Sequence, residues 1–418
     1  MSVQVSTLSN GLRIITDRME SVETVALGAW VNAGTRNETA EVNGISHLLE
    51  HMAFKGTARR SAQQIAEDMD NVGGHLNAYT SRDHTAYFAK VLKEDTTLAV
   101  DIIADILLNS TMDAEELERE KHVIVQEISQ VNDTPDDIIF DKFQAKAYPD
   151  QPMGWPVLGS EELVRSVTSQ RLKSYLSEHY AAEHTILAAS GNIQHDRFVA
   201  DVERCFASYK PSAKISSVSS KYAGGEHREA RELEQVHLVL GFPGVAYDDP
   251  DFYNISALSV LMGEGMSSRL FQEIREKRGL AYSVFSSTQS FSDTGLFTIY
   301  TGTAPDELPK LMPILCEEIR KSAGSITPEE TKRAKAQIKS SLLMSLESPS
   351  SRCSARARQL VVYGRPLTTD EVIERVEAID TAAIRATAAR IFAGTPTMAA
   401  IGPLDKLAPL PEIQQKLQ

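Results

Sequence analysis

Two histidines four residues apart, with a glutamate directly before the second, have the spacing of a metal site. They are His47, Glu50 and His51 in the stretch NGISHLLEHMAFKGT. Residues four apart share one face of a helix, so the two imidazoles can hold one small cation. Zn²⁺ accepts histidine nitrogens and leaves a position to water in catalytic sites, and Glu50 could take a proton from that water.

The alternative is an amphipathic helix that carries two solvated histidines. The flanking residues argue against it, because they are apolar and predict a largely buried helix: Leu48, Leu49, Met52 and Phe54. Buried histidines and a buried glutamate need polar partners. The stretch therefore favours metal binding over a solvated helix face.

A third protein ligand is expected in DAEELEREKHVIVQEISQV, residues 113–131, which predicts a strong helix with Asp113 as its N-cap. Glu127 lies where this helix turns apolar, and a carboxylate in such surroundings would be stabilised by a cation. Composition alone leaves a solvated helix face equally open. Glu120, seven residues earlier on the same face, could orient an imidazole. His122 is expected to face solvent.

The chain reads as an internal duplication divided by a linker. Residues 211–231 are rich in Ser and Gly and lack a helical or strand period, so they separate an N-terminal half, 1–210, from a C-terminal half, 232–418. Each half reads as a β-type segment, an acidic turn, a helix, two strands and an amphipathic helix. The prediction is an α+β fold of two homologous halves, each with an antiparallel sheet and helices.

Aligning Ile45-Ser46 with Ile255-Ser256 shows what the second half lacks. Apolar residues replace all three polar groups of the first helix: Ala257, Val260 and Leu261. A buried helix can therefore fill this position without them. In the first half their desolvation is costly, and some interaction must offset that cost.

Composition excludes several other classes of protein. The net charge of −14 argues against a nucleic-acid partner and suits a basic substrate, although negative charge is also a common solubility device. No apolar run approaches the ~18 residues of a membrane span, and the N-terminus reads as a β-hairpin around Asn10-Gly11 and not as a leader. We expect a cytoplasmic protein with reduced thiols, because its cysteines are scattered: Cys205, Cys316 and Cys353.

The segment HLLEHMAFKGT, followed by Glu127 in EREKHVIVQEI, resembles the inverzincin peptidases of the pitrilysin and insulinase type, family M16. The resemblance covers nearly the whole chain, includes GGHLNAYTSRDHTAYFAKV and GMSSRLFQEIREKRGLAYSVFS, and points to the processing-peptidase branch. It implies that two halves face each other as a clamshell around a closed chamber. It also implies one Zn²⁺ per chain, Glu50 as general base, Glu120 as a supporting residue, and three zinc ligands: His47, His51 and Glu127.

The resemblance further implies a substrate site. Asn77, Ala78 and Tyr79 match an edge strand that takes up the substrate as an added β-strand, which binds any extended sequence through backbone groups. Arg275 and Tyr282 match residues that the second half lends to the active site. Spacing alone would instead favour Arg275 as an arginine that ends a helix and Tyr282 as a core tyrosine.

Asp137 and Asp141, one helical turn apart, match an acidic pair that receives an arginine two residues before the cut. The family has a glutamate where Asp137 stands, so this pocket is one methylene shorter here. A solvated acidic helix face is the alternative. Phe54 matches an aromatic residue that meets the residue after the cut.

The sequence thus predicts a zinc endopeptidase that hydrolyses short, unstructured, basic, leader-like peptides. A non-catalytic scaffold subunit and a catalytic subunit that needs a separate partner chain are the alternatives, and the intact metal motif argues against the scaffold. The mitochondrial enzymes of the family work with a separate subunit that bears a glycine-rich loop, and the nearest stretch here, GEGMSS at 263–268, belongs to the ordinary motif of the C-terminal half. Because a single chain whose N-terminus does not read as a leader suggests a bacterial enzyme, we expect one that acts as a monomer or homodimer, with no nucleic acid or membrane partner.

Overall fold

The computed structural model describes residues 2–212, 215 and 218–418; residues 213, 214, 216 and 217 of the expected linker lie outside them. The strands are β1 Val3–Thr7, β2 Arg13–Arg18, β3 Thr24–Val31, β4 His75–Thr80, β5 Thr85–Leu92, β6 Thr185–Gly191, β7 Gly225–Ala230, β8 Val236–Pro243, β9 Ser283–Ser290, β10 Gly295–Thr303 and β11 Thr397–Gly402. The helices are α1 Ile45–Ala53, α2 Ala62–Asp70, α3 Thr96–Leu108, α4 Ala114–Asn132, α5 Pro135–Ala147, α6 Glu161–Ser166, α7 Ser169–His179, α8 His195–Cys205, α9 Phe252–Gly263, α10 Leu308–Ser325, α11 Pro328–Ser345, α12 Pro349–Tyr363, α13 Thr369–Glu377, α14 Thr381–Phe392 and α15 Leu410–Leu417.

The first sheet has six strands in the order β1-β2-β6-β3-β5-β4. Strand β3 is buried along most of its length, as its apolar run Thr24–Val31 requires of a central strand. Strand β4 lies at the edge and pairs only with β5 within the sheet. The predicted N-terminal hairpin is confirmed, because β1 pairs antiparallel with β2, with Thr7 opposite Arg13.

The second sheet has five strands in the order β7-β11-β8-β10-β9. It repeats the first sheet when β7, β11, β8, β10 and β9 are matched with β2, β6, β3, β5 and β4, and α9 then matches α1. The predicted α+β fold of two homologous halves is confirmed. The antiparallel prediction is incomplete, because one strand pair in each sheet is parallel: β2 with β6, and β7 with β11.

The molecule divides into two compact units that do not follow chain order. One unit comprises Met1–Ser129, Trp155–Val218 and Leu343–Pro366, and the other comprises Gln130–Gly154, Ser219–Leu342 and Leu367–Gln418. Helix α5 therefore packs in the unit of the second sheet, and α12 in the unit of the first. The division of the chain into halves 1–210 and 232–418, with a linker at 211–231, stays a prediction.

Side chains of these two helices explain their placement. The Phe143 ring of α5 lies so close to β8 that a Cβ on Gly241 would come within 2.5 Å of it, so the glycine makes room for the ring. On α12, Ala357 and Leu360 are buried with Trp30 and Ile186 of the first sheet. Among the described residues, no helix combines the length and apolar character needed to span a membrane.

Candidate metal centre and active site

Helix α1 carries the central residues, and a carboxylate shortly before it in the chain binds the backbone at its start. Gly44 precedes the helix with φ of 95°, a left-handed conformation that favours glycine. The buried Glu38 accepts hydrogen bonds from the backbone nitrogens of Gly44 at 2.9 Å and Ser46 at 2.8 Å, and from Asn43 Nδ2 at 2.8 Å. Burial raises the pKa of Glu38 to about 7, even though these hydrogen bonds lower it.

The predicted ligands lie together. His47, His51 and Glu127 each offer a ligand atom, and these atoms lie within 4.8 Å of one another. The Oε2 atom of Glu127 is 3.7 Å from His47 Nε2 and 3.8 Å from His51 Nε2. Helices α1 and α4 thus bring two imidazole nitrogens and one carboxylate oxygen to a common point.

This donor set fits zinc. Bonds of about 2.0–2.1 Å to a tetrahedral ion place ligand atoms about 3.4 Å apart. The separations of Glu127 Oε2 from the two histidine nitrogens, 3.7 and 3.8 Å, are close to that value. His47 is 7% exposed, and burial followed by the charge of His51 lowers its pKa to about 3, so its imidazole is neutral and able to bind a metal. Among the described residues, His47 Nδ1 is buried without a hydrogen-bond partner.

Glu50 lies on the same helix and is only 9% exposed. Its Oε2 atom accepts a hydrogen bond of 2.6 Å from the hydroxyl of Thr80, the last residue of β4. Burial is the largest cause of a raised pKa for Glu50; the Thr80 hydrogen bond and the charge of His51 act in the opposite direction. A carboxylate of raised basicity beside two imidazoles can serve as a proton acceptor.

The second histidine has a carboxylate behind it. Glu120 Oε2 is 3.1 Å from His51 Nδ1, and Glu120 Oε1 is 2.7 Å from Lys55 Nζ. The prediction that Glu120 orients an imidazole therefore has a direct contact in its favour. The other helix predictions are confirmed: Asp113 caps α4 through hydrogen bonds of 2.9 and 3.0 Å, and His122 is exposed.

The predicted substrate strand is an edge strand. Asn77 and Tyr79 of β4 are exposed and Ala78 is partly buried. The side-chain oxygen of Asn77 accepts a hydrogen bond of 2.8 Å from the backbone nitrogen of Ala78. Phe54 follows the last residue of α1, and its ring centroid lies 6.3 Å from that of Tyr87.

The remaining predicted residues lie in the other unit. Asp137 and Asp141 are on α5, with Asp137 exposed and Asp141 partly buried. The guanidinium of Arg275 lies 4.8 Å from the ring centroid of Phe271 and 4.6 Å from that of Tyr282. Tyr282 is 75% exposed, so reading it as a core tyrosine is wrong.

Sequence reasoning did not single out Glu38, Lys55 or Thr80. Each acts on the site through another residue: Glu38 on the start of α1, Lys55 on Glu120, and Thr80 on Glu50. Lys55 gave no clear signal, because it follows the end of α1 at Ala53 and helical spacing does not apply to it. Thr80 gave no signal, since its contact depends on how β4 lies against α1.

Comparison with known proteins agrees with this geometry. Residues 13–161 match the family described as insulinase, peptidase family M16, and residues 166–338 match the peptidase M16 inactive domain. The chain is 42% identical over 402 residues to a protein of Rickettsia felis named an uncharacterized zinc protease, covering 96% of this chain and 98% of that protein. It is 39% identical over 399 residues to one of Bacillus subtilis that bears the same description, covering 95% and 97%.

Two solved structures share the fold. A protease from Helicobacter pylori has a TM-score of 0.89 at 24% identity, covering 96% of this chain and 99% of that one. A chain of complex III from Candida albicans has a TM-score of 0.86 at 22% identity, covering 99% of each. At these identities the likeness concerns the fold alone.

The matching family model and the relatives named zinc proteases place the chain among the metallopeptidases, and the three converging candidate ligands accord with that class. The chain belongs to the insulinase family, peptidase family M16. The description of residues 166–338 as an inactive domain accords with the apolar residues that α9 buries in place of the ligands and the glutamate: Ala257, Val260 and Leu261.

Proposed function

We propose that this chain is a zinc-dependent endopeptidase that hydrolyses short, unstructured, basic peptides. One observation carries the proposal: two imidazole nitrogens and the Glu127 carboxylate converge on one point, with the buried carboxylate of Glu50 on the same helix as the histidines. The curated relatives that bear the name zinc protease support zinc as the metal. A scaffold would have no need of this arrangement.

When bound, zinc would polarise the scissile carbonyl and make water more acidic. His47, His51 and Glu127 would hold it. Glu50 would accept a proton from the attacking water and later deliver it to the leaving amine, as a general base that becomes a general acid. Burial suits Glu50 to this role, because its raised pKa makes the carboxylate a better proton acceptor.

We propose that the free edge of β4 binds the substrate as an added strand. The backbone groups along Asn77, Ala78 and Tyr79 would pair with an extended peptide, which explains a requirement for unstructured substrates. Phe54 would contact the residue after the cut. In this proposal a chamber between the two halves excludes folded proteins by size.

The second unit would supply specificity. Asp137 and Asp141 share one face of α5 and would receive an arginine two residues before the cut, because paired carboxylates match a guanidinium. Tyr282 is exposed and would donate to the developing oxyanion, with Arg275 stacked against its ring. We propose that the enzyme acts as a monomer or homodimer in the bacterial cytoplasm, without a second kind of subunit.

The test is cleavage of an arginine-containing leader peptide by the purified chain, with and without a chelator, with products read by mass spectrometry. We expect a chelator-sensitive cut at a fixed distance after the arginine. Glu50→Gln should keep one zinc per chain and lose at least about 1,000-fold in kcat, a loss within the range for removing a general base. Glu115→Gln, whose side chain on α4 is 86% exposed, is the matched control.

Two results would contradict the proposal. Full activity of Glu50→Gln would remove the general-base assignment. A wild-type chain that holds zinc and cleaves no peptide would point to a missing partner chain or to a scaffold role.

A further inference from the structure

Thr80 connects the proposed substrate strand to the proposed general base. It is the last residue of β4, and its hydroxyl donates the hydrogen bond of 2.6 Å to Glu50 Oε2. This hydrogen bond joins the edge strand β4 to the polar face of α1. The contact therefore links two features that the proposed mechanism uses separately.

A glutamate side chain has several rotatable bonds, and its ordering must be stabilised by its neighbours. A hydrogen bond to Oε2 fixes the rotation of the carboxylate about its last bond, and therefore the direction in which Oε1 points. Proton transfer requires the accepting oxygen to lie within hydrogen-bond reach of the water. A freely rotating carboxylate would meet that geometry for only part of the time.

The hairpin after β4 holds Thr80 in place. The backbone nitrogen of Ser81 donates to the carbonyl oxygen of His84 at 2.8 Å, and the nitrogen of His84 donates to the hydroxyl of Ser81 at 3.1 Å. The hydroxyl of Tyr79 lies 2.9 Å from His84 Nε2. Both neighbours of Thr80 in the chain are therefore hydrogen-bonded to His84: Ser81 through its backbone and hydroxyl, and Tyr79 through its side chain. These contacts restrict the position of the Thr80 hydroxyl.

We propose that Thr80 is a positioning residue that sets the orientation of the Glu50 carboxylate and ties it to the strand that receives the peptide. The inference rests on the proposed role of Glu50 as general base. Because the same strand would pair with the substrate, a peptide bound along β4 would meet a base whose direction that strand already defines. Thr80 itself neither binds the metal nor exchanges a proton with the substrate.

The test compares Thr80→Val, which keeps the shape and removes the hydroxyl, with Thr80→Ser, which keeps the hydroxyl. The substrate is the arginine-containing leader peptide, and kcat, KM, zinc content and Tm are measured for each purified chain. We expect Thr80→Val to lower kcat about 10- to 100-fold with KM within about twofold, the loss typical of a hydrogen bond to a charged group. Thr80→Ser should restore kcat to within about threefold, with one zinc per chain in both variants.

Thr85 provides a matched control. It lies opposite Thr80 in the β4–β5 pair, and its hydroxyl donates to the backbone carbonyl of Ala33 at 3.0 Å. Thr85→Val should lower Tm and leave kcat within about twofold of wild type. If Thr80→Val does not fold, Thr80→Ala serves as the second variant without a hydroxyl.

The outcomes separate this inference from the proposed function. An inactive Glu50→Gln together with a wild-type kcat for Thr80→Val would overturn the role of Thr80 and leave the general base intact. Loss of zinc in Thr80→Val, or failure of Thr80→Ser to restore kcat, would overturn it in favour of a structural role. An active Glu50→Gln would overturn both.

Discussion

The Nδ1 atom of His51 lies 3.1 Å from Oε2 of Glu120, and this contact determines which ring nitrogen His51 can offer to a metal. With its proton on Nδ1 toward the carboxylate, His51 presents Nε2 on the side of Glu127. Lys55 holds the other oxygen of Glu120 at 2.7 Å. Burial alone would raise the pKa of Glu120, but hydrogen bonds from His51 and Lys55 outweigh it and leave the pKa lowered.

Removing the charge of Lys55 should therefore weaken zinc binding, although Lys55 acts only through Glu120 and His51. In Lys55→Met, Glu120 loses one of the two hydrogen bonds that keep it ionised and oriented, so His51 loses part of its support. We expect zinc affinity to fall about 10-fold, at the low end of the effect of outer partners. Competition with a chromophoric chelator measures it, and Lys90→Met, at an exposed position of β5, is the control. Equal affinities for wild type and Lys55→Met would show that Glu120 needs no second partner.

Glu38 should make the stability of the protein depend on pH, because burial raises the pKa of its carboxyl group from 4.5 to about 7. The folded state then binds a proton more tightly than the unfolded state. The favourable contribution of protonated Glu38 is fully present below pH 4.5 and is lost as the pH rises through about 7. The free energy of unfolding of wild type relative to Glu38→Gln should fall over this interval by on the order of 3 kcal/mol.

Urea denaturation of both chains at several pH values between 4 and 8 measures this difference. The metal-free protein is used, so that proton competition at the zinc ligands does not contribute. A difference between wild type and Glu38→Gln that stays constant across the interval would mean that Glu38 has the same pKa in the folded and unfolded states, so that its hydrogen bonds fully offset its burial.

A buried ion pair fixes α12 to the first sheet. Asp17 of β2 is fully buried, and its carboxylate contacts Arg356 Nε at 2.9 Å and Arg352 Nη1 at 3.2 Å. Asp17→Asn removes the buried charge that both guanidinium groups contact, so we expect a loss of about 3 kcal/mol in the free energy of unfolding. Arg18→Gln, which breaks the exposed pair with Glu20, should change it by less than about 1 kcal/mol. Chemical denaturation of the two variants measures both changes in the free energy of unfolding. Equal changes would contradict the stabilising role of the Asp17 ion pair.

Local patterns predicted only part of the candidate metal site. Composition left a solvated helix face equally open for Glu127, whose assignment as a ligand came from the resemblance to the family. The spacing of His47 and His51 specifies one helix face, because helical geometry is fixed for residues close together in the chain. The duplication was visible for the same reason, since each half repeats its own local order of strands and helices.

The exchange of α5 and α12 between the two units could not be predicted. An amphipathic helix shows which of its faces is buried, but not which sheet buries it. Phe143 on α5 would suit either sheet by its apolar character, and the space above Gly241 that accepts its ring exists only in the folded molecule. The same limit applies to Thr80, whose meeting with Glu50 depends on tertiary packing.

The last prediction concerns specificity. Asp137 and Asp141 lie one turn apart on α5, and the proposed function assigns them an arginine of the substrate. Asp137→Asn combined with Asp141→Asn should lower kcat/KM about 10- to 100-fold for peptides with arginine two residues before the cut, because the guanidinium loses charged hydrogen bonds. Peptides with alanine at that position should be cleaved at the wild-type rate. Asp136→Asn, an exposed carboxylate in the first turn of the same helix, controls for the change in local charge. If the double variant lost activity equally on both peptides, the pair would have a general role in the fold or in peptide binding and would not be an arginine pocket.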